Sequence, residues 1–465
     1  MTMRYVSTRG DAPVLDFGGT LLAGLAADGG LYVPEQWPRL GQGARERFAE
    51  ARYQDVAVEV MRPFVDGSLT RDELAALVEE AYSTFDDPAV VPSSPLDDGY
   101  HLLELFHGPT LAFKDVALQL IGPLFEHELS RRGSRVTIVG ATSGDTGSAA
   151  IEACRDRDAI EVFILHPAGR VSEVQRRQMT TVTSANVHNL AIEGTFDDCQ
   201  DLVKLLFADV AFRERRRLSA VNSMNWARVM AQVVYFVASW ARLGGGRVAY
   251  AVPTGNFGNV FSGYVASQMG ADIAQFVVGS NRNDILARFF DTGTMTMSEV
   301  YPTISPSMDI QISSNFERLL FELYGRAGHR VAAMMAEFRA TGSMAVAPAA
   351  FELLGDRWSG VRLDDDQTKL VMKELFERQG VLVDPHTAVG LGAAREARRD
   401  PTVPMLCLAT AHPAKFPDAV EEATGVRPVL PASLADLFEL PERFETLPND
   451  LAEVRSHIDQ TLDGS

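Results

Sequence analysis

Short apolar runs alternate with amphipathic stretches between residues 100 and 290 of the chain. The apolar runs predict strands, and the amphipathic stretches predict helices. The predicted strands cover residues 100–106, 135–139, 161–165, 187–192, 247–252 and 274–278, and the predicted helices cover residues 115–132, 148–156, 172–182, 197–207 and 226–242. This rhythm predicts an α/β fold of open, mostly parallel sheets with helices on both faces. Such sheets bind ligands at the carboxyl ends of their strands.

The first 95 residues lack this rhythm and predict a small N-terminal domain. Its predicted elements are a strand within residues 3–10, a turn at 28–30, a strand at 31–33, a helix over 53–62 that stops at Pro63, a helix that begins at Thr70 with Glu73 as its capping box, and a linker over 88–95.

The pattern becomes irregular over residues 295–365, which predicts an insertion or a return pass of the chain. Further elements follow: a helix over 367–379, a strand over 380–383, a loop with His386, a further helix, a strand over 404–409 and a terminal helix over 451–462. We therefore predict a main region over residues 96–440 with two α/β subdomains, the smaller at about 130–230, and a helical tail over 441–465.

Composition and charge narrow the class of protein. The chain is 46% apolar, with a formal charge of −19 and no long basic run, which argues against binding to a nucleic-acid backbone. No apolar run reaches the length of a membrane span, and the N-terminus does not predict a signal peptide. The three cysteines, Cys154, Cys199 and Cys407, have no framework or metal-binding spacing. A reducing, cytoplasmic location is expected.

The most informative segment is the lysine loop, residues 107–115, with the sequence HGPTLAFKD. It follows the apolar run 102–106 and precedes an apolar helix start at Val116. Lys114 therefore lies at a strand-to-helix turn beside Phe113. Such surroundings desolvate an ammonium group and lower its pKa, which makes the amine a usable nucleophile. For a lysine considered alone, a solvated position near a helix start is the more common situation.

Two further loops combine glycines with polar side chains between a strand and a helix. The serine loop covers residues 141–147 (ATSGDTG), and the glycine loop covers residues 255–259 (GNFGN). Main-chain N–H groups at a helix start bind anions, and glycine allows close approach. An ordinary βα turn is a competing interpretation for each loop alone. The glycine loop lacks a Walker lysine and the dinucleotide spacing, so it favours phosphate binding over ATP or NAD.

Two more segments supply polar groups at strand ends. Thr410 follows the predicted strand 405–409, where its hydroxyl could bond a ring nitrogen or satisfy a backbone group. The arginine segment, residues 222–228 (NSMNWAR), could bind a phosphate or carboxylate through its Asn, Ser and Arg side chains. Simple capping of a helix by Ser223 or Asn225 is the alternative. A lysine nucleophile with a non-nucleotide phosphate site points to pyridoxal 5′-phosphate.

The chain resembles the long-form threonine synthase family of bacteria and fungi, within the tryptophan-synthase-β-like (fold type II) pyridoxal-phosphate enzymes. The resemblance covers nearly the whole chain and includes two N-terminal stretches, residues 5–10 and 25–34. Five motifs carry it in the family order: residues 106–115, 141–147, 222–228, 253–259 and 410–416. One departure concerns the wider superfamily, which has Asn where this chain has Asp145. An anionic group there would alter the protonation of the cofactor, and no role is assigned to it.

The resemblance implies the site residues. Lys114, next to Phe113, holds the cofactor as a Schiff base; Gly255, Asn256, Phe257, Gly258 and Asn259 hold its phosphate; Thr410 faces its ring nitrogen; Ser143, Gly144, Asp145 and Thr146 hold the substrate amino acid; and Asn222, Ser223 and Arg228, with Lys415, bind the substrate phosphate.

The implied reaction converts O-phospho-L-homoserine and water to L-threonine and phosphate, by γ-elimination and β-addition of water, as the last step of threonine biosynthesis. The partner is a small molecule, with no nucleic acid or membrane, and the expected state is a monomer or weak homodimer. A threonine dehydratase or a cysteine synthase would share Lys114 and the glycine loop, but neither explains the N-terminal domain. A catalytically idle protein that binds phosphorylated small molecules is the alternative outside enzymes.

Overall fold

The computed structural model describes residues 2–142, 144–220, 223–243 and 246–464. Its elements up to residue 219 are β1 (Tyr5–Ser7), α1 (Phe17–Ala23), β2 (Tyr32–Pro34), α2 (Ala44–Ala49), α3 (Tyr53–Val65), α4 (Arg71–Tyr82), β3 (Ser93–Pro95), β4 (Tyr100–Glu104), α5 (Lys114–Arg132), β5 (Val136–Ala141), α6 (Asp145–Cys154), β6 (Ile160–Pro167), α7 (Glu173–Thr180), β7 (Val187–Glu193), α8 (Phe196–Ala208), α9 (Val210–Arg216) and β8 (Leu218–Ser219).

The remaining elements are α10 (Trp226–Arg242), β9 (Val248–Pro253), α11 (Gly258–Met269), β10 (Ile273–Ser280), α12 (Ile285–Thr292), β11 (Thr294–Thr296), α13 (Phe316–Leu323), α14 (Gly328–Thr341), β12 (Ser343–Ala345), α15 (Pro348–Glu352), β13 (Trp358–Arg362), α16 (Asp365–Gln379), α17 (Pro385–Ala397), β14 (Met405–Ala409), α18 (Pro417–Thr424), β15 (Glu445–Pro448) and α19 (Leu451–Asp463). Two compact units result: one comprises Met1–Ala117 and Ser223–Val429, and the other Leu118–Asn222 and Leu430–Ser465.

The larger unit is built around a six-stranded sheet in the order β13-β10-β9-β14-β4-β3. All pairings are parallel except that of β3 with β4. Strand β14, from late in the chain, lies between β9 and β4. Buried apolar side chains of α17, such as Val389 and Leu391, belong to one core cluster with Ala251, Val277 and Cys407 of the sheet. The carboxyl ends of β9, β14 and β4 are therefore neighbours.

The smaller unit contains a five-stranded, entirely parallel sheet in the order β15-β7-β6-β5-β8. Its core includes Phe163 and Leu190 of the sheet, Leu202 of α8, and Val454 and Ile458 of the terminal helix α19. The two sheets confirm the predicted fold class, and the predicted tail helix is present as α19. The predicted domain boundaries at residues 95 and 440 stay predictions.

Several local predictions need correction. The helix expected to stop at Pro63 continues to Val65, because Pro63 lies in its last turn and the next two residues are fully buried. The expected linker 88–95 ends in β3, which pairs with β4 as the outermost strand of the sheet. The expected strand at 380–383 is an unpaired connection in the described chain, since Gly380 ends α16 and Asp384 caps α17. Thr70 and Glu73 form the predicted capping box.

The described ranges also bear on membranes and metals. No helix there has both the length and the apolar character needed to cross a membrane. No group of His, Cys, Asp and Glu side chains in these ranges is arranged to hold a metal ion. All three cysteines are free thiols in the interior.

Candidate active site

The lysine loop connects β4 to α5 and places Lys114 at the first position of that helix. Lys114 is 8% exposed, and its Nζ lies 5.9 Å from the centre of the Phe113 ring. The loop pairs with the end of β14: the Phe113 N–H donates to the Thr410 carbonyl at 2.8 Å, and Ala112 bridges Ala411. These contacts place Lys114 and Thr410 on adjacent loops at one edge of the larger sheet.

Asp115 and Lys415 hold the lysine loop from within. The Asp115 carboxylate accepts hydrogen bonds from the Thr110 N–H at 2.8 Å and the Thr110 hydroxyl at 2.6 Å. Lys415 is fully buried, and its Nζ donates to the Thr110 carbonyl at 2.6 Å. Burial raises the pKa of Asp115 to about 6, although Thr110 and the charge of Lys415 act in the opposite direction. A Cβ at Gly108 would lie 2.4 Å from Asp115 Cβ, so this close packing requires glycine.

The hydroxyl of Thr387, on α17, supports the backbone of Thr410. The Thr410 N–H donates to the Thr387 hydroxyl at 3.2 Å, and Thr387 donates in turn to Asp384. Asp384 also bonds His386 Nδ1 at 2.7 Å. The Ser307 N–H donates to His386 Nε2 at 3.2 Å, so Nε2 must accept and the proton lies on Nδ1. The strand end at Thr410 is thus fixed by hydrogen bonds to buried side chains of this helix and its cap.

The glycine loop connects β9 to α11, and its backbone suits an anion. Phe257 has a left-handed conformation (φ 63°), and no side chain caps the helix that follows among the described residues. The Phe257 ring lies in an aromatic core with Phe290, Phe316 and Trp358, so this residue offers only its main chain to the loop. A Cβ at Gly255 would lie 2.7 Å from the Ser307 carbonyl, which leaves no space for a larger residue.

The described part of the arginine segment begins at Ser223 and leads into α10, which Asn225 caps. Arg228 is 4% exposed, and its Nη1 has no hydrogen-bond partner within the described chain. Burial lowers the pKa of Arg228 to about 10, which reflects the cost of holding a cation there without water. Asn222 lies outside the described residues, and capping by Asn225 confirms one alternative for this segment.

The larger unit fits a phosphorylated cofactor. Asn259 is buried; its Oδ1 accepts from the Tyr235 hydroxyl at 2.6 Å, and its Nδ2 has no partner among the described residues. An unpaired buried donor and an uncapped helix start are what a bound phosphate would satisfy. Lys114 and the Thr410 hydroxyl lie on neighbouring loops and offer the amine and the ring-nitrogen partner of pyridoxal phosphate.

The serine loop belongs to the smaller unit and follows β5. Ser143 lies outside the described residues. The helix α6 begins at Asp145, three residues before its predicted start, so Gly144, Asp145 and Thr146 form its first turn. The Asp145 Oδ1 accepts a hydrogen bond from Gln175 Nε2 at 2.7 Å, and both side chains are buried. Gln175 therefore holds the Asp145 side chain in place from α7.

The sequence interpretation missed several of these residues. Asp384, Thr387 and Gln175 support the predicted site residues but lie far from them in the chain. The sequence predicts His386 in a loop before a further helix, whereas His386 is buried in the first turn of that helix, α17. The N-cap pattern of Asp384 followed by Pro385 is a local signal that marks where this predicted helix begins.

We predict that His412, which lies next to the lysine loop, makes the free energy of unfolding depend on pH. Burial, with His107 acting in the same direction, lowers the pKa of His412 to about 4. This value lies below the ordinary pKa of about 6.5, so stability falls as the pH drops from about 6.5 toward 4. Between pH 7 and pH 5 the native chain should lose about 2 kcal/mol of unfolding free energy relative to a His412→Asn variant.

Urea unfolding of both proteins at pH 5, 6 and 7 would measure this difference. The Asn Oδ1 can replace His412 Nδ1, which accepts from the Ala414 N–H at 3.1 Å, so the capping contact is kept. Asp115 titrates in both proteins, and its contribution cancels. A difference that does not change with pH would contradict the prediction.

Comparisons with known proteins agree with this geometry. Three protein families match consecutive parts of the chain. The family "Threonine synthase N terminus" matches residues 4–82, the family "Pyridoxal-phosphate dependent enzyme" matches residues 97–337, and the family "Threonine synthase, C-terminal" matches residues 387–458. The threonine synthase of Pseudomonas aeruginosa is 52% identical over 461 residues, which cover 98% of each chain. The crystal structure of PLP-bound threonine synthase from Brucella melitensis has a TM-score of 0.97 at 49% identity and 99% coverage of each chain. The yeast threonine synthase structure has a TM-score of 0.95 at 38% identity, covering 100% of this chain and 99% of that one.

Proposed function

Because this chain belongs to the threonine synthase family, and is a pyridoxal-phosphate-dependent lyase, we propose that it converts O-phospho-L-homoserine and water to L-threonine and phosphate. The observation that carries the proposal is the position of the lysine loop, Thr410 and the glycine loop at the carboxyl ends of three adjacent parallel strands, β4, β14 and β9. The buried guanidinium of Arg228 adds a phosphate-binding group to the same unit.

The cofactor residues are proposed from their own chemistry. The main-chain N–H groups of residues 255–259 and the Asn259 amide bind the cofactor phosphate, and the Thr410 hydroxyl bonds the ring nitrogen. A neutral hydroxyl favours a less protonated ring than a carboxylate would, which restrains side reactions such as transamination. When bound, the conjugated ring of the cofactor delocalises the electron pair left by proton removal at the substrate α-carbon.

Lys114 holds the cofactor and moves protons. Lys114 is only 8% exposed, and its Nζ lies 5.9 Å from the centre of the Phe113 ring, so water has little access to the amine. Once it is no longer bonded to the cofactor, this amine acts as the general base at the substrate α-carbon. The lysine loop is fixed through Thr110 and Asp115, so the amine is positioned before substrate arrives.

The substrate phosphate binds the arginine segment. Arg228 presents a guanidinium that is already desolvated, and a phosphate oxygen would give its Nη1 the partner that it lacks within the described chain. Ser223 and Asn222 complete this phosphate site. Departure of phosphate from the γ-carbon is favoured because this cation stabilises the leaving group.

The remaining predicted residues have distinct parts. Gly144, Asp145 and Thr146, with Ser143, hold the substrate amino acid at the first turn of α6. Lys415 was predicted at the phosphate site, but its bond to the Thr110 carbonyl and its complete burial favour a role in positioning the lysine loop.

The buried free thiols support a reducing, cytoplasmic location. The state proposed is a monomer or weak homodimer, which light scattering would measure.

Activity on O-phospho-L-homoserine tests the function directly. The purified protein should show a visible chromophore that borohydride reduces, and it should release phosphate and form threonine in equal amounts. A threonine dehydratase would instead release ammonia from threonine, and a cysteine synthase would need a sulfur donor. An idle binding protein would take up phosphorylated ligands without turnover. Absence of threonine formation by the cofactor-loaded protein would reject the proposal.

A further inference from the structure

Asn315, which immediately precedes α13, contacts two of the predicted binding segments at once. Its side chain is fully buried, and its Nδ2 donates to the Ser223 carbonyl and to the Asn256 carbonyl, both at 3.0 Å. Its backbone N–H donates to the same Asn256 carbonyl at 3.0 Å. One amide group therefore joins the arginine segment to the glycine loop.

The glycine loop is shaped to admit this amide. A Cβ on Gly258 would lie 3.1 Å from Asn315 Nδ2, so a larger residue at this position would displace the amide. Ser313, two residues earlier, donates from its hydroxyl to the Gly255 carbonyl at 2.7 Å. Ser313 thus contacts the glycine loop alone, whereas Asn315 contacts both segments.

Arg318, one turn further along α13, fixes the orientation of the Asn315 amide. Its Nη1 donates to Asn315 Oδ1, which turns Nδ2 toward the two carbonyls. Its Nη2 donates to the Met224 carbonyl at 2.7 Å and to the Tyr32 carbonyl at 2.9 Å. Arg318 is also fully buried, so these bonds replace all of its hydration. The N-terminal region, through Tyr32, is thereby bonded to the group that holds the arginine segment.

We propose that Asn315, oriented by Arg318, is a positioning residue that sets the spacing between the cofactor-phosphate site and the substrate-phosphate site. The assignment of the second site rests on the proposed function, whereas the contact with the glycine loop does not. Loss of the amide removes the donor that the Ser223 and Asn256 carbonyls share and leaves the Asn256 carbonyl with only the Asn315 backbone N–H, so the two segments are no longer joined and relax together. Binding at the two phosphate sites should weaken in parallel.

Two variants test this role, with Ser313→Ala as the matched control. Asn315→Ala removes the amide. Asn315→Asp keeps the partner of Arg318, and so protects the fold, but directs an acceptor at the two carbonyls. Circular dichroism and thermal unfolding would confirm that each variant is folded. The measurements are the dissociation constant of pyridoxal phosphate, the ³¹P shift of the bound cofactor, and the dissociation constant of inorganic phosphate for the cofactor-saturated protein.

Both Asn315 variants should weaken pyridoxal phosphate and inorganic phosphate by roughly tenfold or more each, as expected when buried carbonyls lose a hydrogen-bond donor. They should also shift the ³¹P signal and raise KM for O-phospho-L-homoserine more than they lower kcat. Ser313→Ala should weaken the cofactor alone. Values within about twofold of the native protein for both ligands, or loss of one ligand only, would overturn the proposal. A native protein without turnover would reject the function, but the two dissociation constants would still decide the role of Asn315.

Discussion

Replacing Lys114 with Ala is expected to abolish turnover, with kcat lowered by at least about 10⁴-fold. The change removes both the covalent attachment of the cofactor and the base that acts at the α-carbon. No other described lysine can substitute for it in the lysine loop, because Lys415 is buried against the Thr110 carbonyl. Single-turnover assays with saturating cofactor would measure the loss, and borohydride should no longer fix the cofactor to the chain.

The matched control is Lys204→Ala, which removes an exposed lysine that pairs with Asp201 at the surface. This variant should keep the native rate and the reducible chromophore. Near-normal activity of Lys114→Ala, in a preparation free of native enzyme, would show that the lysine assignment is wrong.

Replacing Arg228 with Met should have the second largest effect, because it removes a buried cation proposed to bind the substrate phosphate. We expect kcat/KM to fall by about 10²- to 10³-fold, as for loss of a desolvated charge pair. The melting temperature of this variant should rise, although its activity falls. Burial lowers the pKa of Arg228 to about 10, so the free protein bears a desolvation cost that Met would relieve. A higher melting temperature with lower activity is the expected combination.

Arg242→Met on the same helix provides the comparison. Burial also lowers the pKa of Arg242, but this residue lies in the last turn of α10, away from the arginine segment. It should change stability without changing kcat/KM. A loss of activity equal to that of Arg228→Met would mean that the effect comes from the helix and not from the guanidinium at its start.

Local patterns in the sequence were enough for much of the fold. The helix predicted over residues 226–242 is α10, with the same bounds, because an uninterrupted apolar face follows an asparagine cap. Seven parallel strands, β4, β5, β6, β7, β9, β10 and β14, are predicted because each combines apolar residues with a following polar loop. Strand order was not predictable in this way: that β14 lies between β9 and β4 depends on pairings between distant segments. The same limit hid β13, which pairs with β10 at the sheet edge.

The same distinction between local and distant contacts decides which residues of the candidate site were predictable. Lys114 and the glycine loop were predicted because the chemistry and the turn lie in one short segment. Asn315 was not, since its function depends on two carbonyls that come from about 60 and 90 residues earlier in the chain. Lys415 was predicted as a phosphate ligand from its position in a motif, whereas its bond to Thr110 could be seen only after folding.

The late position of β14 has a consequence for synthesis on the ribosome. A nascent chain that ends before residue 405 contains β4 and β9 but not the strand that joins them. Both would present unpaired backbone edges, which favour association between chains. Such a chain also lacks Thr410, so cofactor capture has to wait until residue 410 has been translated. Termination of translation before residue 405 should therefore yield insoluble protein and not a partly active enzyme.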